Sequence, residues 1–205
     1  MCDNLIVMTG KPRLLNVDRI SEAAFDLLDE QGLEAFSLRH LASRLNVHAS
    51  ALYRHFDSKD ALLLHLTKAM LANSTIAMPK TLDANWQDWI AYDAHRLRAN
   101  LLTHRDGPQL CMTYHQQVTS PHSTALFKAL NLNGFTKHDA SYCVSTVVNY
   151  VIGFALEESY KQKASQTEST DLEFEYGLKI LIEGIKSIAS ITNENRNNQL
   201  YLPKS

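Results

Sequence analysis

The sequence predicts an all-α chain: an N-terminal three-helix unit with helix-turn-helix spacing, then a larger helical body. Two observations carry this expectation. Apolar residues recur at three- and four-residue intervals from about Val17 onward, as in Ile20, Ala23, Ala24, Leu27 and Leu28. Only 7 Gly and 5 Pro interrupt 205 residues, too few for the tight turns of an all-β chain.

The elements follow in order. Residues 1–15 read as a flexible arm. Asn16 is a plausible N-cap for the first helix, and Gly32 is placed to end it. A second helix spans 38–45 behind Ser37, and a third spans 49–55 after the turn Asn46-Val47-His48. Asp57 or Ser58 caps a fourth, running to about Ser74. Pro79 and Asp83 mark a break. Trp86 opens a helix through Leu102, and Asp106-Gly107-Pro108 reads as a turn. Further helices are expected over 123–132, 139–162 and 171–191, with a polar loop at 165–170. The domains are therefore expected at 16–75 and 76–192, with a flexible tail at 193–205.

The net charge is −2, so overall charge offers nothing to nucleic acid. Locally the balance differs. Between residues 37 and 59, Arg39, Arg44, Arg54 and Lys59 face only one acid, Asp57, and His40, His48 and His55 lie among them. Two short helices joined by a three-residue turn have the size of a helix-turn-helix, whose second helix enters the major groove. A basic head on a more acidic body suits a DNA-binding module.

The motifs in this stretch are specific. Gly32 is followed by Phe36-Ser37-Leu38-Arg39, Ala42-x-x-Leu45-x-Val47, Leu52-Tyr53-x-His55-Phe56 and Lys59-x-x-Leu62. At these spacings the segment resembles the DNA-binding domain of the TetR family. The segments 85–90, 101–107 and 153–157 resemble the tetracycline-repressor branch, so the likeness covers about 17–188. It implies a homodimeric, ligand-responsive regulator, expected to repress, that binds a palindromic operator and is released by a small-molecule effector. The resemblance makes Arg39 a reader of guanine, whose O6 and N7 an Arg matches as a pair. His48, Ala49 and Ser50 would face bases. Tyr53, His55 and Lys59 would contact phosphates, and Ser37 and Arg54 join the DNA-binding set. The long helices 139–162 and 171–191 would form a four-helix interface between two chains.

The implied effector cleft is lined by Thr75, Asp93, Leu97, Cys111, Tyr114, His115, Asn149 and Glu157. In the resembled repressors a His chelates the drug-bound Mg²⁺, and that position falls at Cys111. The other drug-binding His and the Asn fall at Thr75 and Asp93, and an aromatic wall residue falls at Leu97. Tyr114 and His115 replace a Thr-Arg pair, Asn149 replaces another His, and Glu157 matches a Glu that holds the metal through water. A thiol is a poor ligand for hard Mg²⁺. The reading therefore opposes tetracycline–Mg²⁺ as effector and expects no cofactor and no metal.

An alternative is a metal- or redox-sensing regulator built on Cys111 and His115, with His104 or Glu157 completing the site. Catalysis by a Cys111–His115 pair is disfavoured, because no nucleophile elbow or phosphate loop accompanies it. Cys2, Cys111 and Cys143 form no CxxC pair, which suits a reducing cytoplasm. The longest nearly apolar stretch, 147–156, is about half a membrane span.

Overall fold

The computed structural model describes residues 15–72, 85–118, 121–163 and 170–200. Among them are nine α-helices and no strand: α1 (Val17–Ala35), α2 (Leu38–Arg44), α3 (Ala49–Leu52), α4 (Lys59–Ala72), α5 (Trp86–Leu102), α6 (Gly107–Tyr114), α7 (Pro121–Leu132), α8 (Lys137–Lys163) and α9 (Thr170–Leu200). A 3₁₀ turn, His115–Gln117, follows α6. The expected break at Pro79 and Asp83, and Thr75, lie outside the described residues.

Local chemistry sets the N-terminal helices. The Asn16 side chain accepts the Arg19 N–H at 2.9 Å, Ser37 accepts that of His40 at 3.2 Å, and Ser58 that of Ala61 at 3.0 Å. Each satisfies a donor that a helix start leaves unpaired. At Gly32 the backbone leaves helical geometry (φ 80°, ψ 169°), yet α1 resumes and ends at Ala35. The third helix is shorter than expected. After Leu52 the chain tightens into a turn, with the His55 and Phe56 N–H groups both on the Leu52 carbonyl.

Two corrections concern the body. Gly107-Pro108 does not merely turn the chain; it starts α6. Proline suits the first helical turn, where its missing N–H has no partner to lose. Glycine is required beside it, because a Cβ on Gly107 would lie 2.2 Å from the Leu101 carbonyl oxygen. The last helix passes the expected end at 191 and continues to Leu200.

Two apolar clusters form. The N-terminal one gathers Ile20, Leu28, Phe36, Leu41, Leu52 and Leu62, among others. The body cluster gathers Trp89, Ile90, Leu101, Val147, Ile152 and Phe174, among others. Helices α4 and α6 bury residues in both, and Phe25 of α1 packs against both. In α4, Leu62, Leu63 and Leu66 face the first cluster, whereas Met70 and Leu71 face the second. In α6, Leu110 enters the N-terminal cluster while Cys111 enters the body. Burying a leucine contributes about 1.5–3 kcal/mol, so Leu110 is a strong tie.

Helix α8 is the centre of the body and packs against α5, α6, α7 and α9. By length and composition it could cross a membrane. Its Val147, Val151, Ile152 and Ala155 are instead buried in the body core. Arg98 joins three helices. Its guanidinium forms paired bonds to Glu158 at 2.8 and 2.9 Å, bonds Asp171 at 2.8 Å, and lies 4.7 Å from the Phe174 ring centroid. Beside it the Tyr150 hydroxyl donates to the Phe174 carbonyl at 2.8 Å.

That last contact needs a glycine. A Cβ on Gly177 would sit 2.4 Å from the Tyr150 hydroxyl oxygen. Helix propensity alone favours Gly→Ala by about 1 kcal/mol. Gly177→Ala should nevertheless lower the unfolding free energy by about 1–3 kcal/mol, the usual cost of overpacking, measured by urea denaturation.

Candidate nucleic-acid interface and effector cleft

The N-terminal bundle presents a polar face built on one buried anchor. Leu52 holds α3 in the core at 1 % exposure. With Leu52 inward, Ser50, Tyr53, Arg54 and His55 are exposed, as are His48 at the start of α3 and Arg39 on α2; Ala49 is half-buried. The turn between the helices is fixed by the Val47 N–H on the Ala42 carbonyl at 3.0 Å and by Asn46 with φ 54°.

Two basic residues are already engaged. Arg44 bonds Glu30 at 2.6 and 2.8 Å and lies 3.5 Å from Asp26. Its charge is thus answered within the bundle, and the local excess expected from sequence is smaller by that residue. The bond to Arg44 holds the Glu30 carboxyl below its usual range. Lys59 donates to the Phe36 carbonyl at 2.6 Å, fastening the start of α4 to the α1–α2 junction. An ammonium has three N–H donors, so Lys59 keeps capacity for a phosphate.

In the body two cavities adjoin, an inner one of about 40 Å³ and an outer one of about 450 Å³, sharing His115, Val118, Ser123 and Val148. Leu97 and Cys111 line the inner cavity, Asn149 the outer, and His115 both. Three expected residues stand elsewhere. Asp93 lines neither; it is buried against Arg96, with Oδ1 2.8 Å from Nη2. Glu157 is exposed and pairs with Lys161 at 3.1 Å. Tyr114 donates its hydroxyl to Asp60 of α4 at 2.8 Å and packs on the N-terminal cluster. The helical period explains the last case. Leu110 and Tyr114 are four residues apart and share the face toward the bundle; Cys111 and His115 share the face toward the cavity.

Arg96 is the residue that sequence reasoning passed over. It is 1 % exposed and lines the inner cavity. Asp93, one helical turn before it on α5, was the available signal.

Nothing among the described residues of the cleft supports the metal or redox alternative. Burial pushes the metal-free Cys111 thiol up to about 12, which disfavours a free thiolate near neutral pH. The His115 Nδ1 lies 3.1 Å from the Cys111 carbonyl oxygen, an acceptor only, so Nδ1 carries the proton. Among the described residues no three His, Cys, Asp or Glu side chains could together hold a metal ion.

Bundle and body are also clasped at the α5–α6 turn. Asp106 accepts the Leu33 N–H at 2.7 Å, just after Gly32. Asp29 accepts the Arg105 N–H at 2.9 Å and lies 3.0 Å from His104 Nδ1. The His104 ring stacks on Phe25 at 4.1 Å.

Residues 20–66 match the tetR family of bacterial regulatory proteins, and residues 78–170 match the tetracyclin repressor-like C-terminal domain. The chain is 30% identical over 196 residues to tetracycline repressor protein class A from transposon 1721 of Escherichia coli, covering 83% of this chain and 90% of that one. The chain belongs to the TetR family. It is a DNA-binding transcription regulator with a helix-turn-helix. Among solved structures, a TetR variant from Acinetobacter baumannii AYE in complex with minocycline superposes with TM-score 0.77 at 32% identity, covering 86% of this chain and 99% of that one. BioQ with its double-stranded DNA operator superposes with TM-score 0.71 at 27% identity, over 85% and 99%.

The state of the cleft thiol in this TetR-family regulator is directly measurable. At pH 8, well below about 12, Cys111 stays protonated in the folded chain. Cys143 is also raised, by burial and then by Asp139. Neither should be alkylated by iodoacetamide in the time that fully labels urea-denatured protein, read by peptide mass spectrometry. Rapid native labelling of Cys111 would contradict its enclosure.

Proposed function

We propose that the chain is a ligand-responsive repressor, reading a palindromic operator as a homodimer in the cytoplasm and released when a small molecule occupies the body cleft. One observation carries the coupling: Leu110 is buried in the N-terminal core, and its neighbour Cys111 lines the effector cavity. A ligand that shifts α6 therefore shifts the packing of the bundle. Tyr114 on Asp60 transmits the same displacement to α4. The ligand acts only through its preference for the displaced arrangement over the DNA-bound one. Leu97, Cys111, His115 and Asn149 are the proposed cleft contacts. The names of the relatives, tetracycline repressors among them, support repression.

At the DNA, Arg39 reads a guanine, while His48, Ala49 and Ser50 meet base edges at the start of α3. Tyr53, Arg54, His55 and Lys59 hold phosphates; Ser37, whose oxygen caps α2, keeps its hydroxyl proton for the same purpose. Pairing rests on α9. Leu172, Tyr176 and Ile180 recur every four residues on one side of α9 and are 73%, 71% and 57% exposed. An exposed apolar patch of this kind is expected to be covered. A second copy covers it symmetrically, placing two reading heads one helical turn of DNA apart.

Selection from a randomised duplex library at physiological salt should enrich a palindrome. Arg39→Ala should relax one base position of each half-site at a cost of about 1–3 kcal/mol. Tyr176→Asp with Ile180→Asp should give a monomer by sedimentation and lose palindrome preference. Sequence-blind retention by ligand-free protein would overturn the operator reading.

A further inference from the structure

Among the described residues Arg96 makes three hydrogen bonds. Nε and Nη2 bond Asp93 Oδ1 at 3.2 and 2.8 Å, and Nη1 bonds the Leu71 carbonyl at 3.3 Å. A guanidinium has five N–H donors, so two remain, on a side chain that lines the inner cavity. Leu71 lies in the last turn of α4, where helix carbonyls have no partner within the helix. Arg96 therefore caps the helix that carries the reading head, and it does so from the wall of the cavity.

The inner cavity offers hydrogen-bond donors to an anion. Arg96, whose charge Asp93 balances from outside the cavity, lines it, and among the described residues no Asp or Glu lines either the inner or the outer cavity. Ser123 adds a hydroxyl, and Cys111 adds a thiol that burial keeps protonated. One water needs roughly 10–15 Å³, so the inner 40 Å³ admits a group of about three heavy atoms and no ring. The outer cavity is wide enough for a larger body and offers Phe127, Val144 and Val148 to it. A planar carboxylate matches the guanidinium fork with two parallel bonds.

We propose that Arg96 is the effector-reading residue and that the effector is a small organic acid, an apolar body with a carboxylate head. The head enters the inner cavity and draws the guanidinium from the Leu71 carbonyl; the end of α4 is then uncapped. This rests on the ligand-responsive reading above and adds the chemistry of the ligand and the contact it breaks.

The test uses the full chain with benzoate, 4-phenylbutyrate and octanoate, each against its neutral amide. Binding is read by calorimetry and melting temperature. The acids should bind at least tenfold more tightly than their amides, and the best acid should speed amide exchange in the last turn of α4. In the double variant Asp93→Leu with Arg96→Met the buried pair is replaced as a unit, so no lone charge stays behind. It should lose the tenfold preference. The comparison on the unaltered chain stands even if that variant unfolds. Three results would overturn the proposal: amides binding as well as acids or no acid binding at millimolar concentration, a preference that survives in the folded double variant, or acid binding with unchanged exchange in α4. Release of operator DNA by neutral compounds alone overturns the acid site and leaves the ligand-responsive reading standing. Failure to retain any specific DNA overturns that reading, while the acid preference is still decided by calorimetry.

Discussion

The two faces of α6 set the terms for the rest of the molecule. Eight residues long, it buries Leu110 among the leucines of the N-terminal bundle and Cys111 in the wall of the body cavity. Protein interiors are close-packed, so a buried side chain cannot move without its neighbours. The helix starts in a fixed place because Gly107 lies against the Leu101 carbonyl and Pro108 follows in the first turn. Its far end is held through Tyr114 on Asp60. Bundle and body therefore share a packed element, which is the physical requirement for one to sense the other.

Charged side chains, some buried and some at the surface, chiefly fix helix ends and crossings. Arg98 gathers Glu158 and Asp171 and stacks on Phe174, so α5, α8 and α9 meet at one guanidinium. Arg96, paired with Asp93, closes the end of α4, and Asn100 does the same at the Met70 carbonyl. The Asp29–Arg105–Asp106 clasp binds the end of α1 to the α5–α6 turn. Buried pairs contribute less to net stability than their short distances suggest, since desolvation opposes them. Their larger effect here is to fix which helix end meets which.

What could be read from sequence was what local chemistry decides. Asn16 and Ser37 cap the helices they were expected to cap, because an N-cap needs only the next turn. The apolar repeat on α8 was legible for the same reason, since burial of one helix face writes itself into every third or fourth residue. The start of α6 was not legible, because Gly-Pro serves a turn and a helix start equally well. The sequence suggests the cleft for Tyr114 and says nothing of Arg96, whereas the fold turns Tyr114 to Asp60 and Arg96 to the inner cavity, for one shared reason. Which face of a helix meets which neighbour depends on how the helix is rotated in the finished fold. An arginine on a polar-looking helix reads as solvated until Asp93, three residues earlier, is seen beneath the surface with it. Glu157 is a similar case; its side of α8 faces outward to Lys161.

The placement of Leu110 also bears on how such proteins can be recombined. The N-terminal cluster contains a residue that arrives some forty positions after the end of α4. A cut between residues 75 and 76, which looks natural in the sequence, would leave the bundle with a leucine-sized gap and the body with a bare leucine. A chimaera that joins this reading head to another body should keep α6 in register with the head it completes. The unit of exchange is then discontinuous: α1 to α4 together with one face of α6.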